Sequence, residues 1–441
     1  MGDKEPGAVM TEVPYGRGHW RLRLPSEAAV ETLSSRRVTP LADPMAAVRD
    51  ALKQPIGTRP LRELVRRGER VAIVVNDVTR LVRTDLFLPV LVEELNAAGI
   101  PDRDLLVIFA LGNHRRQTPE ERQRIVGESL AGRLELVDHD CREAENLVHI
   151  GRTRRGNEAW VNRRVWEADR VILTGEIIYH LIAGYSGGRK SLFPGVAGAE
   201  FIRVNHRMIF EPGCGVGVLE GNPAHEDLLE ACRLFDPDFI LNVILSPAGE
   251  LLNVVAGHYE LAHQAGCNLV DQIYGVRVEG AYETVIASAG GYPLDLDLRQ
   301  ANKGMENAAR AVRDGGSLLY FAECGEGAGS RALEEWAGRF ASAAEFEKAL
   351  REDFVVGAHK AYWLARLAER VRVYLVSSLD PEFVRKCRLH PVEHPEALAK
   401  ELLAGRGQRI GYMPSASFTL PVATAGDERV RTGECLSVGK E

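Results

Sequence analysis

The chain has 441 residues, 45% hydrophobic and 27% charged, and 62 acidic against 55 basic side chains give a net charge of −7. This is a globular composition rather than a disordered one, and its sign argues against wholesale binding to a nucleic-acid backbone. No apolar run approaches the roughly 18–20 residues of a membrane span. The opening MGDKEPGAVMTEVPYG lacks the basic-then-apolar order of a secretory leader. A soluble, cytoplasmic protein is expected, with no nucleic-acid or membrane partner. Seven cysteines (Cys141, Cys214, Cys232, Cys267, Cys324, Cys387 and Cys435) are dispersed with no CxxC pair, which argues against a disulfide framework or a structural zinc site.

From about residue 70, short β-branched runs alternate with helical stretches. Val71–Val75 reads as a buried strand, followed by the polar turn Asn76–Arg80, and residues 86–99 then have helical periodicity ending in a glycine. Leu105–Phe109 is a second strand, leading into Leu111-Gly-Asn-His-Arg115. Thr118-Pro-Glu-Glu121 carries the signals of a helix start: Thr as N-cap, Pro at the first helical position, Glu at the third. Residues 134–137 and 171–174 add two strands. The alternation implies a largely parallel sheet with helices on both faces.

A second unit of the same kind is expected from about residue 276, with strands at 284–288, 317–321 and 372–376 and helices at 297–314, 332–350 and 391–403. Two α/β domains with mostly parallel sheets follow, the active site expected in the cleft between them. The boundaries are 1–275, rejoined by 409–441, for a cofactor-binding domain, and 276–408 for a domain contributing substrate contacts. The role of residues 1–60 is left open.

Ligands of parallel sheets bind beyond the carboxyl ends of the strands. Three unusual segments begin there: Asn76–Arg80, Leu111–Arg115 and Gly175–Ser191. The last contains His180 and then Gly187-Gly188-Arg189-Lys190-Ser191, where small residues bring backbone N–H groups to an anion and two cations stand beside them. It is not a phosphate-binding GxxxxGK[ST] loop, whose glycine spacing is absent. A Gly-rich surface turn with two solvated cations is the competing reading. Asp77 and Arg80 read either as a carboxylate and guanidinium for a ribose or phosphate, or as a capped turn. His114, His180 and His206 lie near loops rich in Gly, Asn or Arg, and imidazole suits both proton transfer and metal ligation. Spacing alone does not separate them from the other nine histidines, such as His19, His139 and His394. Arg299, Gln300 and Lys303 lie together near the start of a helix, equally readable as its solvated face.

Taken together, NDVTR (76–80), GNHRR (112–116), His180 with AGYSGGRKSLFPG (183–195), NHRM (205–208) and LRQANKGM (298–305) resemble the lactate racemase family in identity, order and approximate separation. The resemblance covers most of the chain from about 70 to 380. It implies a nickel-pincer nucleotide, a nickel pyridinium-3,5-bisthiocarboxylic acid mononucleotide, tethered to Lys190 and ligated through nickel by His206. It further implies that His114 and His180 are the acid/base pair, and that Asp77, Thr79, Arg80, Gly187, Gly188, Arg189 and Lys190 contact the cofactor. Arg80, Arg299, Gln300 and Lys303 would contact substrate. The implied reaction is racemisation or epimerisation of a 2-hydroxy acid by proton-coupled hydride transfer to and from the nucleotide, through a bound 2-keto acid. Cofactor-making proteins are implied partners, and a monomer or homodimer is expected.

Lactate-specific members of the family carry an aromatic residue immediately before the Gln…Lys pair, where this chain has Arg299. They also carry a Trp in the segment that here reads 357–363. The additional cation favours a second carboxylate on the substrate, hence malate; lactate, another short 2-hydroxy acid, and a sugar acid epimerised at carbon 2 are the alternatives. A nicotinamide-dependent dehydrogenase would show GxGxxG after the first strand, where NDVTR stands. A binding or storage protein for the nucleotide would need Lys190 and His206 but not both His114 and His180.

Overall fold

The computed structural model describes residues 8–25, 30–80, 82–404 and 408–423, which leaves Cys435 and the rest of 424–441 outside the described residues. The described residues divide into two compact units, one within 38–272 and the other within 8–37 and 273–423.

The first unit is built on a six-stranded sheet in the order 251–257, 239–245, 170–176, 71–76, 105–110, 135–138. All neighbours are parallel except Leu251–Gly257, which returns antiparallel beside Phe239–Leu245. The alternation of side chains along Val71–Asn76 divides the core. Val71, Ile73 and Val75 join Phe87, Leu88, Leu91 and Leu95 of helix Thr84–Ala97 on one face. Ala72 and Val74 join Leu192, Phe193, Val196 and Phe201 on the other. Each strand buried on both faces reads as a continuous apolar run, which is why the sequence exposes these strands so clearly.

In chain order the strands run outward from the centre to one edge, then cross to the other side of Val71–Asn76. The order therefore reverses between Val71–Asn76 and Arg170–Glu176, the position where a doubly wound sheet opens a crevice at its carboxyl edge. Helix Pro119–Val126 starts as expected, with a complete capping box between Thr118 and Glu121.

The second unit has its own six-stranded sheet, ordered 390–391, 372–376, 312–321, 282–288, 410–413, 30–32, and parallel throughout. The hairpin of Ala8–Tyr15 and Gly18–Pro25 covers it, with Val13 and Leu22 packing on Ile286, Leu319 and Phe321. The division differs from the boundaries expected above. Residues up to 37 and those from 409 to 423 belong to the second unit, because Val30–Thr32 and Ile410–Met413 are strands of its sheet.

Three helices also differ from expectation. Leu298–Arg310 stops early because Val312 enters a strand opposite Tyr282. The stretch 332–350 breaks into Arg331–Trp336 and Ala343–Glu352, where Gly338 takes φ +73° and Ser342 caps a new start. Residues 391–394 precede Pro395–Leu402, since Pro391 pairs with Leu375. Among the described residues no helix is long and apolar enough to cross a membrane, and no disulfide forms.

Candidate active site

Strand Val71–Asn76 ends at the reversal point, and the chain turns at once. The Asp77 carboxylate, 4% exposed, accepts hydrogen bonds through Oδ1 from the Thr79 amide (3.1 Å) and hydroxyl (2.7 Å). The turn is held from the neighbouring strand's loop, where Gln117 Oε1 accepts from the Val78 amide at 2.8 Å. Thr79 and Arg80 are left exposed at the rim.

The adjacent strand Leu105–Ala110 delivers His114. Its Nδ1 forms a short hydrogen bond to Asp77 Oδ2. Burial works against ionisation of Asp77, yet the bond and charge of His114, together with Thr79 and Arg80, outweigh it and hold the carboxyl below its usual range. An ionised carboxylate only accepts, so Nδ1 carries a hydrogen and the Nε2 lone pair faces outward. Arg115 and Arg116 turn away to Glu121 and to Asp140 and Glu143.

Strand Arg170–Glu176, on the other side of the reversal, leads into a two-residue hairpin, Tyr179–His180 against Gly184–Tyr185. His180 Nδ1 accepts from the amides of Ile182 and Ala183, both at 3.2 Å. Its Nε2 lies 3.3 Å from Lys190 Nζ. The tyrosines on either side of the hairpin donate to one oxygen, Asp271 Oδ1, at 2.8 and 2.7 Å. Nothing in the sequence marks Asp271: it is a lone acid on helix Leu261–Tyr274.

The GGRK turn presses into the fold rather than standing on the surface. A Cβ on Gly187 would lie 2.7 Å from Ile177, and one on Gly188 would lie 2.8 Å from His263, with φ of +73° and +51° at the two positions. Only glycine satisfies both demands. The Gly188 amide is already taken by Asn242 Oδ1 at 2.8 Å. Arg189, expected to contact the cofactor and on the competing reading a solvated cation, is 1% exposed and points inward. Its guanidinium donates to the Ala183 and Tyr185 carbonyls and lies 3.0 Å from His263 Nε2. It thus ties the hairpin of His180 to the turn of Lys190. Burial brings its pKa down to about 10. The Lys190 amine turns instead to His180 Nε2. Burial first, then the Arg189 and Arg80 charges, bring its amine down to about 7.

His206 stands in the last turn of helix Ala199–Arg207. Its Nδ1 bonds the Ile202 carbonyl of its own helix at 2.8 Å. A carbonyl only accepts, so the hydrogen is on Nδ1 and the lone pair on Nε2. That is the arrangement of a metal-ligating histidine fixed by a backbone acceptor. The helix is anchored by the preceding residue: Asn205 donates to the buried Asp227, which also accepts from Asn157 and Thr153. This network was not foreseen. Among the described residues no three His, Cys, Asp or Glu side chains gather into a metal cage.

The structure thus brings Asp77, Thr79 and His114 together, places Lys190 with His180, and ranges all of them along the carboxyl edge of three adjacent strands. Arg299, Gln300 and Lys303 belong to the second unit, on helix Leu298–Arg310, whose N-cap is Asp297. Lys303 Nζ donates to Gln300 Oε1 at 2.7 Å. Arg299 lies 3.6 Å from Asp297, and its Nε is buried without a hydrogen-bond partner.

Residues 15–217 match the family described as Lactate racemase N-terminal domain, and residues 279–414 match Lactate racemase C-terminal domain. Two proteins named lactate racemase are similar over most of their length. The one from Thermoanaerobacterium thermosaccharolyticum is 33% identical, over 91% of this chain and 97% of its own. The one from Lactiplantibacillus plantarum is 29% identical, over 91% of this chain and 96% of its own. The solved lactate racemase apoprotein of T. thermosaccharolyticum superposes with a TM-score of 0.86 at 32% identity, covering 94% of this chain and all of that one. A crystal structure of a Thermotoga maritima protein, 17% identical with a TM-score of 0.65 over 88% of this chain and all of that one, shares the fold.

Proposed function

Because this chain belongs to the lactate racemase family, we propose that it racemises or epimerises a 2-hydroxy acid with a nickel-pincer nucleotide bound at the carboxyl edge of the first sheet. It is an isomerase of the racemase class. The observation that carries the reading is the opposite setting of the two histidines. His114 presents a lone pair at Nε2, fixed by Asp77 at Nδ1. His180 accepts backbone hydrogens at Nδ1 and so presents Nε2–H. One lone pair and one N–H are what taking a hydroxyl proton and holding the carbonyl oxygen by a hydrogen bond require. A storage protein for the nucleotide would have no use for that pair.

The residues present fit the cofactor. Lys190 offers an amine with depressed basicity for a covalent tether, and His206 offers one metal-binding nitrogen with its other nitrogen anchored. The exposed Thr79 and Arg80 suit its phosphate and ribose. Gly187, Gly188 and Arg189 act by shaping the turn that presents Lys190. When bound, the nucleotide supplies a carbon that accepts and returns the C2 hydrogen as hydride, which avoids a carbanion beside a carboxylate. His114 Nε2 takes the hydroxyl proton and Asp77 stabilises the resulting imidazolium. Arg80 neutralises the substrate carboxylate and developing oxygen charge. After the 2-keto acid turns over, the His180 Nε2–H holds the carbonyl oxygen on the opposite side, the new hydroxyl takes its proton from solvent, and His114 returns the one it took to solvent, so that both rings end as they began. Gln300, Lys303 and Arg299 are assigned to substrate binding.

Malate is the preferred substrate on this reading, because among the described residues Arg299 Nε–H has no hydrogen-bond partner and the guanidinium has a single carboxylate, Asp297 at 3.6 Å, beside it. The names of the relatives make lactate the second reading. A chiral assay offering D-malate, D-lactate and D-gluconate separately to cofactor-loaded protein tests this. Inversion of malate in preference to lactate supports it, and the reverse order transfers the assignment to lactate. Turnover of none overturns the 2-hydroxy acid reading.

A further inference from the structure

The contact between His180 and Lys190 has a direction that the chemistry of its atoms fixes. His180 Nδ1 lies 3.2 Å from two backbone amides, Ile182 and Ala183. Amides only donate, so Nδ1 must be the acceptor nitrogen of a neutral ring. The ring hydrogen is then on Nε2, which points at Lys190 Nζ 3.3 Å away. An ammonium has three hydrogens and no lone pair; facing an N–H it would set donor against donor. A free amine has one lone pair and accepts. The surroundings agree. The charges acting on Lys190 from the packed elements are Arg189 on its own turn and Arg80 beyond the neighbouring strand, both positive. Among the described residues no carboxylate pairs with it.

We propose that His180 is a positioning residue for Lys190, and that in the unloaded chain its Nε2–H bonds the Nζ lone pair and keeps the lysine as a nucleophilic free amine. The backbone of the hairpin, through Ile182 and Ala183, is what selects the tautomer. His180 thereby serves before the reaction begins, by preparing the amine that attacks the thiocarboxyl carbon of the incoming group: the C–N bond forms, the C–O bond breaks, and water leaves with the amine's proton. The inference rests on Lys190 being the attachment point.

The test uses the full chain produced without cofactor, treated with a trace of acetic anhydride at pH 5.5–10 and read peptide by peptide by mass spectrometry. The amine nitrogen forms a bond to the acyl carbon, acetate leaves, and the amine's proton goes to buffer. Exposed lysines such as Lys53 and Lys386 serve as internal references. Lys190 acetylation is expected to level off near pH 7, while the references climb to pH 10. His180→Phe removes the donor and is expected to move the Lys190 profile up by at least one pH unit, a loss of about tenfold in labelling at pH 7. His180→Gln, which keeps an N–H donor at similar reach, is expected to restore most of it. Fold is checked by labelling of the reference lysines, which should not change. A Lys190 profile parallel to Lys53, or an identical profile in His180→Phe, overturns the proposal. Holoprotein made with the cofactor-producing proteins separates the two claims. Adduct mass on Lys190 with an ordinary acetylation profile sinks only the role of His180. A low-pH profile with no adduct on any lysine sinks only the tether.

Discussion

The carboxylate of Asp77 holds the imidazole of His114 by Nδ1, so the one nitrogen left to do chemistry is Nε2. The two residues come from the carboxyl ends of adjacent parallel strands, and 37 positions of sequence separate them. Asp77→Asn keeps the shape but no longer fixes the tautomer or stabilises an imidazolium. We expect racemisation to fall by roughly a hundredfold or more, with the cofactor adduct intact by mass. A loss of less than about threefold would mean that Asp77 serves the cofactor alone.

Lys190→Ala should abolish any covalent cofactor mass on the chain, since no other lysine stands on the GGRK turn. His206→Ala should leave that mass in place and reduce bound nickel, measured by metal analysis of the purified protein. Undiminished nickel in His206→Ala would remove this residue from coordination.

Asp271 accepts hydrogen bonds from both Tyr179 and Tyr185, and so clamps the hairpin that carries His180. Asp271→Ala is expected to lower turnover by roughly ten- to hundredfold, the scale of a small misplacement of a reacting group. Hydrogen exchange should rise in the 178–186 segment and not in the sheet. Unchanged exchange there with full activity would show that the hairpin holds itself.

Three buried histidines make stability depend on acid. His139, His263 and His225 are buried against their charged forms and are brought down to about 4, 3 and 2. In the unfolded chain each titrates near its ordinary value, so below about pH 6.5 the unfolded state binds more protons and stability falls with pH. Each contributes up to about 1.4 kcal/mol per pH unit there. Asp77 adds a separate loss only below about pH 4, because its folded value is depressed and its contribution persists above the unfolded one. Urea midpoints at pH 7.0, 6.0 and 5.0 should decline steadily; a flat profile would mean that these rings are protonated in the native state.

Much of this was legible in the sequence for a physical reason. Strands buried on both faces are apolar runs, and the capping box at Thr118 and Glu121 is a local code, so the first sheet could be read directly. The three motifs at strand ends were visible as interruptions of those runs. Domain membership was not, because Val30–Thr32 and Ile410–Met413 join a sheet whose other strands lie hundreds of residues away or nearer the middle of the chain. Side-chain direction was also hidden. Arg189 and Lys190 are neighbours of like charge, yet one turns inward to His263 and the hairpin carbonyls and the other to His180, a difference set by tertiary contacts. Asp271 and Asp227 were missed because a single acid on a helix carries no spacing signal.

On the proposed mechanism the C2 hydrogen leaves and returns without exchanging with water, between two histidines held in opposite tautomers. Cofactor-loaded protein converting one pure enantiomer of its substrate in deuterated buffer tests this directly, by mass and NMR analysis of the inverted product. Hydride return predicts a product with protium retained at carbon 2. Deuterium at carbon 2 in nearly every inverted molecule would contradict it, and would assign the reaction to proton abstraction instead.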